Sequence, residues 1–175
     1  MYNVTGSDKM NQTRIITLRV VLILLTVSLC ALIFALSADT ADESNAKSDP
    51  VSQVFETSIF DNFSLSENQT EFIKRYAVVI VRKAAHFSEY ALLGFFISAV
   101  CLSFSKSNGF TALISWICGT LYAVSDEIHQ YFVPGRSCQL SDMLLDSAGV
   151  FAGVIFCIFC VYIYKKIRLK KCIKT

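Results

Sequence analysis

The stretch that organises this chain is residues 122–146, which read YAVSDEIHQYFVPGRSCQLSDMLLD. It concentrates ionisable and amide side chains between two long apolar runs, in a protein that is 54% hydrophobic and only 17% charged. If the flanking runs cross a bilayer, every ionisable group held at membrane depth carries a free-energy cost. Such groups are candidates for a functional site, and the sequence predicts one here.

Outside this stretch the apolar residues occur in blocks that are long enough to cross a membrane. A hydrocarbon layer of about 30 Å requires about 20 helical residues, and the chain contains four such blocks. Its 7 glycines and 2 prolines do not supply the many turns that a membrane barrel needs. The prediction is an all-α fold, a four-span transmembrane helical bundle.

The predicted boundaries follow these blocks along the chain. Residues 1–14 form a polar cytoplasmic segment and residues 15–36 the first transmembrane helix. An acidic extracellular connection follows at residues 37–75, then a unit with three further spans at residues 76–164 and a basic cytoplasmic tail at residues 165–175. Within the three-span unit, the helices are expected at about residues 82–104, 110–132 and 141–164. Val133-Pro134-Gly135-Arg136 has the residue choice of a type II turn, and Ser141 is expected to cap the helix that follows it. Gly94 and the spacing Gly149-x-x-x-Gly153 predict close packing against neighbouring helices.

Two of these segments leave alternatives open. The first apolar run ends in Ala35-Leu36-Ser37, a passable cleavage pattern for a signal peptide. The run is longer than the usual 7–15-residue apolar core of such a peptide, so an uncleaved anchor is favoured. The connection 37–66 fits either an amphipathic helix lying on the membrane or a partly disordered acidic loop.

The distribution of charge predicts the orientation. Residues 37–75 hold eight acidic and three basic side chains, whereas the tail after Tyr164 holds six basic side chains and no acid. Because basic residues are retained in the cytoplasm, both termini are expected inside the cell membrane and the loop at Arg136 outside. Attraction to anionic lipid explains the tail better than nucleic-acid binding, which we do not predict.

The seven cysteines do not form a disulfide framework. Most of them lie inside apolar blocks, where a thiol behaves as a small hydrophobic group. Cys157 and Cys160 have the spacing of a redox or metal pair, but they are expected on a lipid-embedded helix with no second pair. A packing role is the better interpretation of both.

Helical spacing places the polar residues of three spans on single faces. The three faces are Arg82, His86, Glu89 and Tyr90; then Tyr122, Asp126, His129 and Gln130; then Asp142 and Asp146. At 1.5 Å per residue, Glu89, Asp126 and Asp146 each lie roughly 6–10 Å from the outer helix ends. The sequence therefore predicts that the three faces meet at one depth beneath the outer surface.

The residue types suggest roles for this cluster. The candidate catalytic residues are His86, Glu89, Asp126, His129 and Asp146, and the candidate ligand-binding residues are Arg82, Lys83, Tyr90, Tyr122, Glu127, Gln130, Arg136 and Asp142. Imidazoles and carboxylates are ligands for a divalent metal with an activated water, although no cofactor is required by the sequence. Without a metal, His129 is a candidate general base and Arg136 a bidentate partner for phosphate.

Other interpretations of the same residues remain open. Ion pairs such as Arg82 or His86 with Glu89 would simply fix the register of the helices. No established catalytic motif is present, so the sequence leaves the reaction and the metal undetermined. A proton-coupled transporter is less favoured, because the inner halves of all four spans are expected to be apolar and to offer no polar path across the membrane.

Three groups of residues resemble the VanZ-like family of bacterial membrane proteins over about residues 72–164. They are Arg82-Lys83-x-x-His86-x-x-x-Tyr90-x-x-Leu93; Tyr122-x-x-x-Asp126-Glu127-x-His129-Gln130-x-Phe132-x-Pro134-Gly135-Arg136; and Asp142-x-x-x-Asp146-x-x-Gly149-x-x-x-Gly153. The resemblance implies a small polytopic protein of the cell envelope. The family's namesake is associated with low-level teicoplanin resistance by an undefined route.

Two functions are consistent with this resemblance. The first is an envelope protein whose outer-face site engages an anionic lipid or a cell-wall precursor. The second is a membrane-embedded hydrolase or transferase that acts on a lipid-linked phosphate. The resemblance implies no particular reaction, so the sequence leaves both open.

Overall fold

The computed structural model describes residues 6–40, 43, 46, 67–105 and 108–173. Within these residues the regular secondary structure is helical, which confirms the all-α prediction. The four long helices are α1 (Gly6–Ser37), α2 (Glu67–Phe104), α3 (Asn108–Tyr131) and α4 (Leu140–Ile173). The two alternatives for the acidic connection lie mostly outside the described residues.

Three of these helices continue past their predicted spans. Helix α1 begins nine residues before Ile15, α2 begins well before Arg82, and α4 runs on through the basic tail. Residues 165–173 contain neither proline nor glycine and are mostly lysine, arginine, leucine and isoleucine, which tolerate a helix well. Helices therefore extend beyond the apolar blocks that define the spans.

By length and composition, three helices of the described chain are able to cross a membrane: Met10–Ser37, Tyr76–Phe104 and Leu140–Lys170. Helix α3 is not among them, although its 24 residues correspond to about 36 Å. Small and hydroxyl-bearing residues interrupt its apolar run, and its last turns are strongly polar. The four-span topology with cytoplasmic termini stays a prediction.

The outer surface of the bundle is apolar, as a lipid environment requires. Leu24 and Val27 on α1 and Phe156 on α4 are each 60% exposed. The buried core is small and is formed by Ile33, Tyr90, Leu93, Ala123, Val150 and Val154. Most apolar residues therefore face outward, which is the arrangement that lipid chains stabilise and water does not.

Contacts between the helices define their relative directions. Arg19 on α1 donates to the carbonyl of Ser103 near the end of α2, whereas Ser37 at the end of α1 bonds to Asp126 late in α3. Lys83 pairs with Asp142 near the start of α4. Helices α1 and α3 thus run in one direction and α2 and α4 in the other, so that the polar parts of all four meet at one end.

Helices α2 and α4 are in backbone contact along a seam of glycines. A Cβ built on Gly149 would lie 2.6 Å from the carbonyl oxygen of Phe87. Cβ atoms on Gly94 and Gly153 would overlap the backbones of Val150 and Ala91 even more severely. These contacts confirm the predicted close packing at Gly94 and along Gly149-x-x-x-Gly153.

The loop between α3 and α4 contains the predicted turn. The amide of Arg136 donates to the carbonyl of Val133 at 3.2 Å, and Gly135 has a φ of 78°. Both are features of a type II turn with Pro134 at its second position. The start of α4 differs from the expectation, because the helix begins at Leu140 and Ser141 lies inside its first turn rather than capping it.

Candidate functional site: a cationic cavity at the polar end of the bundle

A cavity of about 90 Å³ opens at the end of the bundle where the polar segments meet. A single ordered water needs roughly 10–15 Å³ by the same measure, so the cavity accommodates several waters or one small polar group. Its walls come from α2, α3, the turn and α4, and are formed by Arg82, Lys83, His86, Gln130, Gly135, Arg136, Ser137, Gln139, Asp142, Leu145 and Asp146.

The three cationic residues of the cavity differ in how many of their donor groups have a hydrogen-bond or ion-pair partner. The Lys83 ammonium forms an ion pair with Asp142 at 2.5 Å, and both side chains are partly exposed. The Arg136 guanidinium donates through Nη1 to Oε1 of Gln130 at 2.9 Å, but its buried Nε has no hydrogen-bond partner in the described chain. Arg82 makes no hydrogen bond or ion pair to the described residues. Two guanidinium groups thus retain donors for a ligand.

Electrostatics at the turn also favour an anion. Burial lowers the pKa of the Arg136 guanidinium below its ordinary value, and the nearby positive charge of Arg82 lowers that pKa further. Asp39, Asp126 and Glu127 act in the opposite direction, but they do not cancel the effect. A lowered pKa of a cation means that its charged form lacks stabilisation, which an anion in the cavity would supply.

One wall of the cavity carries an imidazole backed by a buried carboxylate. His86 Nδ1 lies 4.0 Å from Oδ1 of Asp146. Asp146 is fully buried, and neither of its oxygens has a hydrogen-bond partner among the described residues. A buried carboxylate without a donor is costly. A donor to Asp146 would offset this cost, and His86 is a candidate donor in the cavity wall.

A chain of hydrogen bonds links α1 to the turn behind the cavity. Oδ2 of Asp126 accepts from Ser37 Oγ at 2.7 Å and from Gln130 Nε2 at 2.9 Å. The other end of the Gln130 amide accepts from Arg136. Asp126 therefore fixes the orientation of Gln130, which in turn holds the guanidinium of Arg136 against the cavity.

The structure brings together part of the set predicted from the sequence. The cavity walls include Arg82, Lys83, His86, Gln130, Arg136, Asp142 and Asp146, whereas Glu89, Tyr90, Tyr122, Asp126, Glu127 and His129 lie outside them. The predicted convergence of three polar faces at one end of the bundle is therefore present. The roles of the individual residues stay predictions.

The residues outside the cavity walls pack against other elements. The His129 ring stacks on Phe34 of α1 with centroids 4.3 Å apart, and Tyr122 donates its hydroxyl to the carbonyl of Cys30 at 2.7 Å. The buried Glu127 carboxylate accepts from the backbone amide of Gln139 at 3.2 Å, which ties the loop to α3. Tyr90 is fully buried in the core, whereas Glu89 is only half-buried.

Sequence reasoning missed the contribution of α1 to this network. Ser37 entered the sequence analysis only as part of a cleavage pattern, yet it is buried and bonded to Asp126. It is 89 residues from its partner, and no pattern in the sequence connects the two. Gln139 was also missed, although its place between a turn and a helix start marks it as a residue with free backbone donors.

The half of the bundle away from the cavity is less apolar than predicted. Ser98, Thr111 and Ser115 are buried there, and their hydroxyl oxygens have no hydrogen-bond partner in the described chain. The side chain of Val150 packs on Gly119, between Ser115 and the polar end of α3. Apolar packing therefore separates these hydroxyls from the cavity.

The described residues contain no group of three or more histidines, cysteines, aspartates or glutamates arranged to hold a metal ion. The two histidines point to different neighbours, since His86 lies at the cavity beside Asp146 and His129 packs on Phe34. A divalent metal bound by side chains of this part of the chain does not fit the geometry.

Apolar helices of membrane-spanning length, with a polar cavity at one end, define the class as polytopic α-helical membrane proteins. Within that class, the model of the family described as VanZ/LLP1 matches residues 22–162, and the chain belongs to this family. Neither a curated protein nor a solved structure matches the chain.

Proposed function

We propose that this protein resides in the cell membrane and uses the cavity at the outer face to bind the phosphate of an anionic lipid or a lipid-linked cell-wall precursor. The observation that carries the proposal is the pair of guanidinium groups, Arg82 and Arg136, in one cavity with donors to spare. Guanidinium groups match the geometry of phosphate oxygens and bind them through two parallel hydrogen bonds.

The remaining charges of the cavity support a monoanionic or dianionic ligand. Lys83 and Asp142 neutralise each other. Among the other charged residues of the wall, two guanidinium groups, Arg82 and Arg136, stand against the single carboxylate of Asp146. An excess of positive charge in the cavity wall attracts anionic headgroups, which makes a phosphate-bearing lipid a better candidate than a neutral one.

The proposed binding is tested with protein in lipid nanodiscs. The probes are phosphatidic acid in the disc, farnesyl diphosphate as a short lipid diphosphate, and inorganic phosphate as the free anion. Losing one charge-assisted contact costs roughly 1.5–3 kcal/mol, so Arg136→Gln and Arg82→Gln should each weaken binding by roughly 10- to 100-fold.

The control is Lys166→Gln, which removes an exposed cation from the basic tail and should leave the affinity for farnesyl diphosphate and inorganic phosphate unchanged. Tighter binding of the lipid probes than of inorganic phosphate assigns the site to a lipid, whereas equal binding assigns it to the free anion. Equal binding by both arginine variants and the parent would contradict the proposal.

The outward orientation of the cavity rests on the charge distribution and has its own test. Cys138 is exposed in the loop beside Arg136, whereas Cys172 belongs to the basic tail at the opposite end of α4. In intact cells, a membrane-impermeant maleimide should label a Cys172→Ser variant and should not label a Cys138→Ser variant. The reverse pattern would place the cavity in the cytoplasm.

The family membership also supports a link to glycopeptide susceptibility. A protein that occupies a phosphate-bearing precursor at the outer surface changes the exposure of that precursor to teicoplanin. Expression of the chain in a susceptible host should raise the teicoplanin inhibitory concentration, and Arg136→Gln should remove the increase. An unchanged inhibitory concentration with the intact protein in the membrane would separate this member from resistance.

A further inference from the structure

We infer that the cavity hydrolyses a lipid diphosphate, with His86 as the general base and Asp146 as the residue that positions its imidazole. This inference rests on the proposed binding function, because the same arginines must first hold the phosphate. It adds a reaction, a role for the imidazole and a preferred class of substrate.

The arrangement of His86 and Asp146 supports this assignment. His86 lines the cavity, and its Nδ1 faces the buried carboxylate of Asp146. A carboxylate at Nδ1 fixes the tautomer that leaves Nε2 able to accept a proton, and it stabilises the imidazolium that results. The present separation of 4.0 Å is longer than a hydrogen bond. Such contacts commonly shorten when a substrate fills the site.

The partnerless oxygens of Asp146 are a second, independent observation. The carboxylate is fully buried, and no donor in the described chain satisfies either oxygen. A carboxylate kept only to fix the helix register would be expected to have a permanent partner, as Asp142 has in Lys83. Asp146 is therefore placed to gain His86 as its hydrogen-bond partner when a substrate binds.

The cavity wall contains one imidazole, that of His86, and this favours a substrate whose leaving group needs no proton. In an in-line displacement, the attacking and leaving oxygens lie on opposite sides of the phosphorus atom. One imidazole therefore cannot serve both oxygens, and His129 lies outside the cavity against Phe34. A leaving group that needs no proton is required, and the phosphate of a diphosphate meets this requirement better than the alkoxide of a monoester.

The proposed step balances without any further reactant. Water gives a proton to Nε2 of His86, and its oxygen forms a bond to the terminal phosphorus. The bond between that phosphorus and the bridging oxygen breaks, and its electron pair stays on the lipid monophosphate. Arg82 and Arg136 neutralise the charge on the phosphate groups. The products are inorganic phosphate and the lipid monophosphate, and the imidazolium then loses its proton to solvent.

The test measures phosphate release and binding in the same nanodisc samples, with farnesyl diphosphate and phosphatidic acid as the two probes. We expect the parent protein to release phosphate from the diphosphate at least tenfold faster than from the monoester. General-base catalysis contributes about 100-fold or more, so His86→Gln should lower kcat by that factor and leave KM and the binding affinity unchanged.

Asp146 is tested by its effect on kcat and KM separately. Asp146→Asn should lower kcat without raising KM, and Asp146→Glu should recover part of the loss. His129→Gln is the matched control, because it removes the chain's other imidazole at a position outside the cavity, and it should keep the parental kcat. Thermal unfolding of each variant identifies any that do not fold.

The possible results distinguish this inference from the binding proposal. Binding of both probes by the parent protein without phosphate release overturns the hydrolase and leaves the binding function in place. Absence of binding overturns both. Phosphate release that His86→Gln does not reduce, or an Asp146→Asn variant with parental kcat, overturns the assigned roles. Faster hydrolysis of phosphatidic acid than of farnesyl diphosphate overturns the substrate class.

Discussion

Helices α2 and α4 meet in two different ways within a few turns of each other. Along the glycine seam their backbones touch, because Gly149 and Gly153 lie against Phe87 and Ala91. One or two turns earlier, the same two helices face each other through charged side chains and enclose part of the cavity. The comparison teaches that the seam fixes the position of the helices and the charged residues use the space that this position leaves.

This difference separates the residues that hold the bundle together from those that give the cavity its chemistry. A change in the seam should act on folding and only indirectly on the ligand. A change in the polar end should act on the cavity at a modest cost in stability, because polar contacts within membrane proteins average only about 0.6 kcal/mol. The following predictions test this separation, beginning with the largest effect.

Gly153→Leu should produce the largest loss of stability. A Cβ at this position already overlaps the carbonyl of Ala91, so a leucine forces α2 and α4 apart. Overpacking of this kind costs about 3 kcal/mol or more. Unfolding in mixed micelles containing dodecyl sulfate measures the change. The control is Gly109→Ala, where a Cβ meets nothing within 4 Å and stability should not fall.

Asp126→Asn should have the next largest effect and should act at the polar end. The change removes the negative charge that strengthens the hydrogen bonds from Ser37 and Gln130 to Oδ2, and it places an amide donor either there or at the buried Oδ1 position, which has no partner in the described chain. We expect a loss of about 1–3 kcal/mol in unfolding free energy. Weaker binding of farnesyl diphosphate should accompany it, because the amide of Gln130, which accepts from Arg136, is then held less firmly. Unchanged binding would contradict the role of Asp126 in orienting Gln130 and Arg136.

Ser37→Ala should cost about 1 kcal/mol, the usual net contribution of one hydrogen bond. It removes the bond that attaches the end of α1 to Asp126. The matched control is Ser88→Ala, whose exposed hydroxyl bonds only to its own helix at Ala84. A double-mutant cycle with Asp126→Asn checks the mechanism, since additive effects would show that the two side chains do not interact in the membrane.

Tyr122→Phe should have the smallest effect, about 0.6 kcal/mol, because it removes one hydroxyl bond to the carbonyl of Cys30 and keeps the ring. Binding of the phosphate probes should not change, since Tyr122 faces α1 and not the cavity. Tyr164→Phe, at an exposed position near the end of α4, serves as the control. A change in affinity for Tyr122→Phe would extend the site towards α1.

The sequence was sufficient to predict the helices, the turn and the seam, because each depends on local properties. Apolar length predicts a span, Pro134-Gly135 predicts a type II turn, and the spacing of Gly149 and Gly153 predicts a close contact. The structure contains the four helices, three of them long and apolar enough to cross a membrane, and it contains the turn and the close contact. Convergence of the polar faces followed from counting residues along antiparallel helices.

The partners of individual side chains could not be predicted in the same way. Helical spacing fixes the angle between two residues of one helix, but not which neighbour lies opposite each of them. His129 and Asp126 were therefore placed on one face, yet the histidine meets Phe34 while Asp126 meets Ser37. Glu127 points away from that face and is nevertheless buried, because the loop at Gln139 covers it.

The length of α4 has a consequence for how deep the protein sits in its bilayer. A straight helix of 34 residues measures about 51 Å, whereas the hydrocarbon layer is only about 30 Å thick. With its first turn at one surface, the first lysine of its last turns, Lys165, lies about 8 Å beyond the other surface, and the end of the helix lies about 20 Å beyond it. Moving those cations into the hydrocarbon layer is costly, so the basic end of α4 restricts movement of the whole protein along the membrane normal. With the four-span orientation that the sequence predicts, the basic tail therefore limits how far the cavity can project from the opposite surface.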